Sequence, residues 1–137
     1  MTEVGFWRAA AAAPERTAIV APDGREVSAG ELLARANQVS HGLRALGVTA
    51  GDTVTLVLPN DVPLLEVYLG ALQIGCYLTP VNHHLVGPEI AYIVADADTR
   101  VLVVDERFAG EVGRALAEVE AGGFDLPAER RFAVGVV

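Results

Sequence analysis

Gly51-Asp52-Thr53-Val54-Thr55-Leu56-Val57-Leu58-Pro59-Asn60-Asp61 is the stretch on which the fold turns. Thr53 to Leu58 is short, β-branched and mostly apolar, the pattern of a strand buried on both faces. Such a strand belongs to a parallel sheet, whose crossover helices cover both sides. Pro59-Asn60-Asp61 ends it. Asn60 or Asp61 is placed to cap a helix running toward Gly75, with Leu64, Leu65, Tyr68, Leu69 and Leu72 as its apolar residues.

Working outward gives the same alternation. Upstream, Ser28 and Glu31 have capping-box spacing. Leu32, Ala36, Val39, Leu43 and Leu46 then recur every three or four residues, and Gly47 is a carboxyl-terminal cap. Earlier still, Pro22-Asp23-Gly24 joins the short runs Ala18-Ile19-Val20 and Arg25-Glu26-Val27, which predicts a hairpin. Phe6 to Ala13 reads as a short helix stopped near Pro14. Downstream, Cys76 to Val81 predicts a strand and Pro88 opens a short helix with Ile90, Ile93 and Val94 inward. Val101 to Val104 predicts a buried strand, and Arg107 to Ala121 an amphipathic helix with Val112, Leu116 and Val119 inward, stopped by Gly122-Gly123. Phe132 to Val137 reads as a last strand. The expectation is an α/β fold: a layered, mostly parallel sheet with helices on both faces and an early β-hairpin. Residues 1–137 carry no repeat, linker or internal boundary and read as one partial domain that stops inside a strand.

Composition removes several functions. The 137 residues are 52% hydrophobic and 20% charged, which is globular rather than disordered. A net charge of -8 speaks against nucleic-acid binding and anionic membrane surfaces. The one cysteine, Cys76, excludes an internal disulfide and fits a reducing cytoplasm. Met1-Thr2-Glu3 does not open a signal peptide. The uncharged stretch from Val67 to Pro88 is too broken by glycine, proline and polar residues to be a membrane span. All ten basic residues other than histidine are arginines, so no mechanism needing a lysine can be completed here.

Chemical motifs are sparse. There is no G-x-G-x-x-G and no phosphate loop of the G-x-x-x-x-G-K-[ST] type. Ser28 is explained by capping, while Ser40 and His41, adjacent on a helix, point apart and make no nucleophile–base pair. Cys76 reads as an inert core thiol. Asp96 and Asp98 read as helix-end and turn residues with no acid/base partner. His83 and His84 lack metal-ligand spacing, yet they follow a strand, where α/β folds place ligands.

Several segments, in order, resemble the amino-terminal region of the AMP-forming acyl-CoA synthetases, the fatty-acyl-CoA ligases of the adenylate-forming enzymes. They include Pro14-Glu15-Arg16-Thr17-Ala18, Ser28-Ala29-Gly30-Glu31-Leu32 and Gly42-Leu43-Arg44-Ala45-Leu46-Gly47-Val48. Gly51-Asp52-Thr53-Val54, Leu58-Pro59-Asn60 and Leu69-Gly70-Ala71-Leu72-Gln73-Ile74-Gly75 follow. The most telling run is Tyr77-Leu78-Thr79-Pro80-Val81-Asn82-His83-His84-Leu85, continuing through Glu89-Ile90-Ala91-Tyr92-Ile93 to Val101-Leu102-Val103-Val104-Asp105. Ala29 departs from the family, which often has an aromatic residue there.

The resemblance implies part of the large amino-terminal domain of an adenylating enzyme. The longer protein would use ATP, magnesium and coenzyme A to turn a carboxylic acid into an acyl-adenylate and then a thioester. The family's phosphate loop, ribose-binding acid and catalytic lysines have no counterpart here, so no catalytic, cofactor-binding or metal-binding residue is assigned. Asn82, His83 and His84 are the candidate substrate cavity wall, and the run from Asn82 to Glu89 looks most like ligases of fatty or bile acids. The implied partner is the rest of the same enzyme chain, with self-association through exposed edges when the piece is alone. Two other readings compete: a free-standing α/β binding or assembly module without catalysis, and a flavodoxin-like or receiver-like domain, the latter weakened by the missing lysine.

Overall fold

Both faces of one central strand are buried, as the opening stretch requires. The structure, a computed structural model, describes residues 5–134. It contains α1 (Phe6–Ala12), β1 (Thr17–Val20), β2 (Glu26–Ser28), α2 (Ala29–Ala45), β3 (Thr53–Val57), α3 (Val62–Gln73) and β4 (Tyr77–Pro80). There follow α4 (Gly87–Asp96), β5 (Thr99–Asp105), α5 (Ala109–Ala121) and β6 (Arg131–Val134). The main sheet has the order β4-β3-β5-β6, every neighbouring pair being parallel. β1 and β2 form a separate antiparallel pair.

Alternation along the strands divides the core in two. Val54 and Leu56 of β3 and Val101 and Val103 of β5 meet Leu43 of α2 and Val67 and Ala71 of α3. Val57, Leu102 and Val104 point the other way, to Ile90 and Val94 of α4 and Val112, Ala115 and Val119 of α5. A third, smaller cluster under the hairpin joins Val27, Leu32 and Val62. Burial of a side chain such as Leu56 or Leu102 is worth about 1.5–3 kcal/mol. Among the described residues β4 is an edge strand, a position that tolerates Pro80.

The local signals act as their chemistry demands, with amendments. Ser28 Oγ accepts from Glu31 N–H at 3.1 Å, but the Glu31 carboxylate turns to Arg35 at 3.3 Å, so only half of the anticipated box forms. Asp61, not Asn60, caps α3, accepting from Val62 N–H at 2.7 Å. Gly24 takes a positive φ of 87° in the hairpin turn. The helix expected from Arg107 starts at Ala109, after a 3-10 turn over Glu106–Phe108. Asp98 sits at φ 51° in the turn between α4 and β5. Residues 135–137 of the expected last strand lie outside the described residues, as do residues 1–4.

Three buried hydroxyls, of Ser40, Thr55 and Thr99, were not anticipated. Thr99 Oγ1 donates to the Val94 carbonyl at 2.8 Å, so Thr55 is the donor in the 2.6 Å contact between the two hydroxyls. Ser40 is buried where α2 crosses α3, with its Oγ 2.7 Å from the Gly70 carbonyl. Gln73 donates from Nε2 to Ser40 Oγ and accepts at Oε1 from Trp7 Nε1 at 2.7 Å, tying α1 to α3.

Gly70 is where α2 and α3 come closest: a Cβ there would lie 2.6 Å from Val39 Cβ and 2.7 Å from the Ala36 carbonyl oxygen. Gly70→Ala is therefore expected to destabilise the fold by about 1–3 kcal/mol, despite alanine's better helix propensity. Urea denaturation checks this. A lower midpoint at unchanged slope is the expected outcome, and an unchanged or raised midpoint removes the close-approach explanation.

Candidate functional site

Strand order places the candidate site. From β3 the chain moves through α3 to β4 on one side, then returns through α4, past β3, to β5 on the other. The direction of winding reverses between β3 and β5, and in open parallel sheets ligands bind outside the carboxyl ends of the strands at such a point. Three loops leave the sheet at that edge: residues 58–61 after β3, 81–86 after β4 and 106–108 after β5.

The sequence-predicted residues lie in the second loop. Asn82 Oδ1 accepts from His84 N–H at 3.0 Å, and Leu85 N–H donates to the Asn82 carbonyl at 3.1 Å. The Asn82 side chain thus folds its own loop. The Glu89 carboxylate accepts from Val86 N–H at 3.0 Å, which caps α4 and fixes the loop's far end. Glu111 of α5 accepts from Gly87 N–H at 2.8 Å and pairs with Arg114. Both interactions hold the Glu111 carboxyl below its usual range, the Gly87 hydrogen bond most strongly.

His83 and His84 lie together, ring centres 4.2 Å apart, and His83 stacks on Phe108 from the loop after β5, at 4.8 Å and 24° between planes. Phe108 itself was not singled out from the sequence. Neither were Asp105 and Arg107, which set its position. Asp105, the last residue of β5, is buried. Its Oδ1 accepts from Arg107 N–H and Nε, both at 2.9 Å, and Oδ2 accepts from Nη2 at 2.9 Å. The Arg107 guanidinium lies 5.8 Å from the Phe108 ring centre. Those hydrogen bonds hold the Asp105 carboxyl below the ordinary carboxylate range against the opposing effect of burial, with His83 adding a weaker push in the same direction. The one available signal was an acidic residue ending an apolar run, two positions before an arginine.

A cavity of about 380 Å³ opens beside this edge, between the hairpin (Val20, Ala21, Pro22) and the start of α3 (Asp61, Leu64, Leu65). Asp61 links the two regions: it lines the cavity and its charge favours the charged form of Arg107, though less than Asp105 does. Among the described residues no group of three or more His, Cys, Asp or Glu side chains could hold a metal ion. The sequence holds no lysine and no glycine-rich phosphate loop of the common type. Cys76 is buried, with its Sγ 3.9 Å from the Thr49 carbonyl oxygen, and burial pushes its thiol further from the reactive thiolate. No helix among the described residues is long and apolar enough to cross a membrane.

Comparison with known proteins fits this architecture. Residues 6–129 match the family described as AMP-binding enzyme. A 3-oxocholest-4-en-26-oate–CoA ligase of Rhodococcus rhodochrous is 35% identical over 103 residues, covering 75% of this chain and 18% of that protein. The long-chain-fatty-acid–CoA ligase FadD13 of Mycobacterium tuberculosis is 30% identical over 68% of this chain and 18% of its own length. The crystal structure of the anthranilate CoA ligase AuaEII in complex with anthranoyl-AMP superposes with a TM-score of 0.81 at 28% identity, over 94% of this chain and 24% of that one. The chain therefore spans about a fifth to a quarter of the length of these relatives.

The Asp105–Arg107 pair predicts an acid-sensitive edge. A carboxyl whose folded-state pKa is depressed stabilises the fold fully above its unfolded value, near 3.9, and stops doing so as pH falls through the lower folded value. Asp105→Asn is expected to lower stability at pH 7 by roughly 1 kcal/mol, the exposed arginine discounting the larger value of a fully buried pair. The gap to wild type closes below about pH 4. Urea midpoints measured from pH 7 to pH 2.5 check it, and a gap independent of pH contradicts it.

Proposed function

The chain belongs to the AMP-binding enzyme family, and from that premise we propose that it is the amino-terminal part of a carboxylate–CoA ligase. The longer protein would activate a carboxylic acid with ATP to an acyl-adenylate and pass the acyl group to coenzyme A. The observation that carries this reading is the family match across residues 6–129, joined to a chain about a fifth to a quarter the length of its relatives. Adenylation turns a poor leaving group into a good one, and stabilising the developing phosphate charge is the chemical burden of such a reaction. This segment has no lysine and no glycine-rich phosphate loop, so we assign it a supporting part. It builds half a sheet and a stiff carboxyl edge, with Asn82, His83 and His84 forming a wall for the acid. A fatty or sterol-like acid is the substrate class proposed, from the family resemblance of the run Asn82 to Glu89 and from relatives that include ligases for such acids. A reducing cytoplasm is the proposed compartment.

Acid-dependent ATP–pyrophosphate exchange tests the reading. The protein expressed from the whole reading frame is expected to show it, and residues 1–137 alone are expected to show none. Exchange by residues 1–137 alone contradicts the supporting role, and no exchange by the longer protein with any fatty, sterol-like or aromatic acid contradicts the ligase reading. In the longer protein, His84→Ala is expected to raise KM for the acid more than it lowers kcat, as loss of uniform binding does.

Residues 1–137 alone are also expected to self-associate, because open strand edges and apolar surface seek partners. Light scattering across a concentration series should show mass rising with concentration. A monomer at every concentration would count against this.

A further inference from the structure

We propose that Phe108 is a positioning residue for the acid-binding wall: its ring holds the His83 ring across the carboxyl edge of the sheet, and the Asp105–Arg107 pair holds Phe108. That role rests on the reading of the chain as part of a carboxylate–CoA ligase.

His83 and Phe108 come from loops that do not adjoin in the sheet. β4 and β5 flank β3, so a contact between residues 83 and 108 passes over the carboxyl end of β3, where the winding reverses. Hydrogen bonds fix the backbone of the 81–86 loop. Val81 N–H donates to the Leu56 carbonyl at 2.7 Å, and the Asn82 turn and the Glu89 cap follow. Those bonds set the backbone of His83 and not its rotamer. The imidazole is set by rings: Phe108 at 4.8 Å with 24° between planes, and His84 at 4.2 Å. A stacked aromatic pair biases one ring position by about two- to tenfold.

Phe108 suits that task because it is itself fixed twice. Its ring is half-buried and packs on the core cluster that holds Val57, Val104 and Val112, as does Leu85 from the 81–86 loop. Its backbone belongs to the 3-10 turn that Asp105 caps. The Arg107 guanidinium, held at 2.9 Å by the Asp105 carboxylate, lies 5.8 Å from its ring centre, where a cation attracts the ring.

Fixing the ring matters for the acid. His83 is half-buried and His84 exposed, so the imidazoles lie where the edge meets solvent. A side chain that contacts a ligand must sit within about 0.5 Å of its productive position, and neighbours that lock its rotamer supply that precision. Without the Phe108 ring the His83 imidazole samples other rotamers, and ordering the wall costs more entropy when the acid binds. Such a loss falls on ground state and transition state alike, so it raises KM and spares kcat.

The test uses the protein expressed from the whole reading frame and two readouts. One is acylation of His83 by diethyl pyrocarbonate, read by mass spectrometry against His41, which is exposed on α2. The other is the kinetics of thioester formation. Phe108→Leu is expected to speed His83 labelling about threefold, as loss of a stacked partner does. It is also expected to raise the KM for the acid about three- to tenfold with kcat little changed. Phe108→Tyr, which keeps the ring, is expected to match wild type in both. Should Phe108→Leu not fold, Arg107→Gln loosens the same ring without removing it and is expected to act in the same direction. Unchanged labelling in the variant overturns the proposal. Faster labelling with an unchanged acid KM, or a rise confined to the KM for coenzyme A, also overturns it and leaves the ligase reading intact. No thioester formation by the wild-type protein with any fatty, sterol-like or aromatic acid overturns the ligase reading, and the role at the acid wall with it.

Discussion

β3 and β5 lie side by side although α3, β4 and α4 separate them in the chain, and the rest of the structure follows from that pairing. Val54 faces Val101, and Leu56 faces Val103, across a parallel ladder. Neighbouring positions on each strand then point to opposite faces, and both faces are apolar. One face needs α2 and α3, the other α4 and α5. Four helices are committed by one strand pair, because a parallel central strand has no side it can leave to water.

The same pairing explains the buried hydroxyls. Thr55 is the one polar side chain in the middle of β3, and in an apolar sheet an unpaired hydroxyl would cost about 1–3 kcal/mol. Thr99, at the start of β5, accepts a hydrogen bond from the Thr55 hydroxyl and donates one to the Val94 carbonyl. The ladder is irregular just there: Thr53 pairs with Thr99 and Val54 with Val101, leaving Arg100 as the extra residue. The bulge lets Thr99 reach α4 while the strand beyond keeps its apolar alternation. Ser40 plays a similar part between α2 and α3, where the close approach at Gly70 leaves room for a hydroxyl.

Most of the fold was legible because its signals are local. The double-sided strands, the α2 stripe, the Asp23-Gly24 turn and the Gly47 stop each depend on a few adjacent residues. The half-formed box at Ser28 was not legible, since only the structure brings Arg35 within reach of the Glu31 carboxylate. The candidate site was half legible. Asn82, His83 and His84 stood out because they follow a strand, but their neighbours are distant in sequence. Phe108 becomes the surface on which His83 stacks only when β5 sits two strands from β4. Asp105 looked like any strand-ending carboxylate until its three contacts with Arg107 were visible.

Those contacts bear on what the carboxyl edge can do. Arg107 presents two guanidinium nitrogens to one carboxylate, a geometry a lysine ammonium cannot reproduce. Its charge is thereby compensated locally, and its loop is fixed. An arginine held in that way makes a poor mobile clamp for a ligand phosphate and a good brace for the aromatic residue beside it. Phe108, braced, fixes His83, and the Asn82 turn fixes His84. The edge is stiff because each member is held by something other than a ligand. Preorganisation of that kind lowers the entropy lost on binding without contributing to bond making. On the proposed ligase reading it suits a wall for the acid and not a group that stabilises charge.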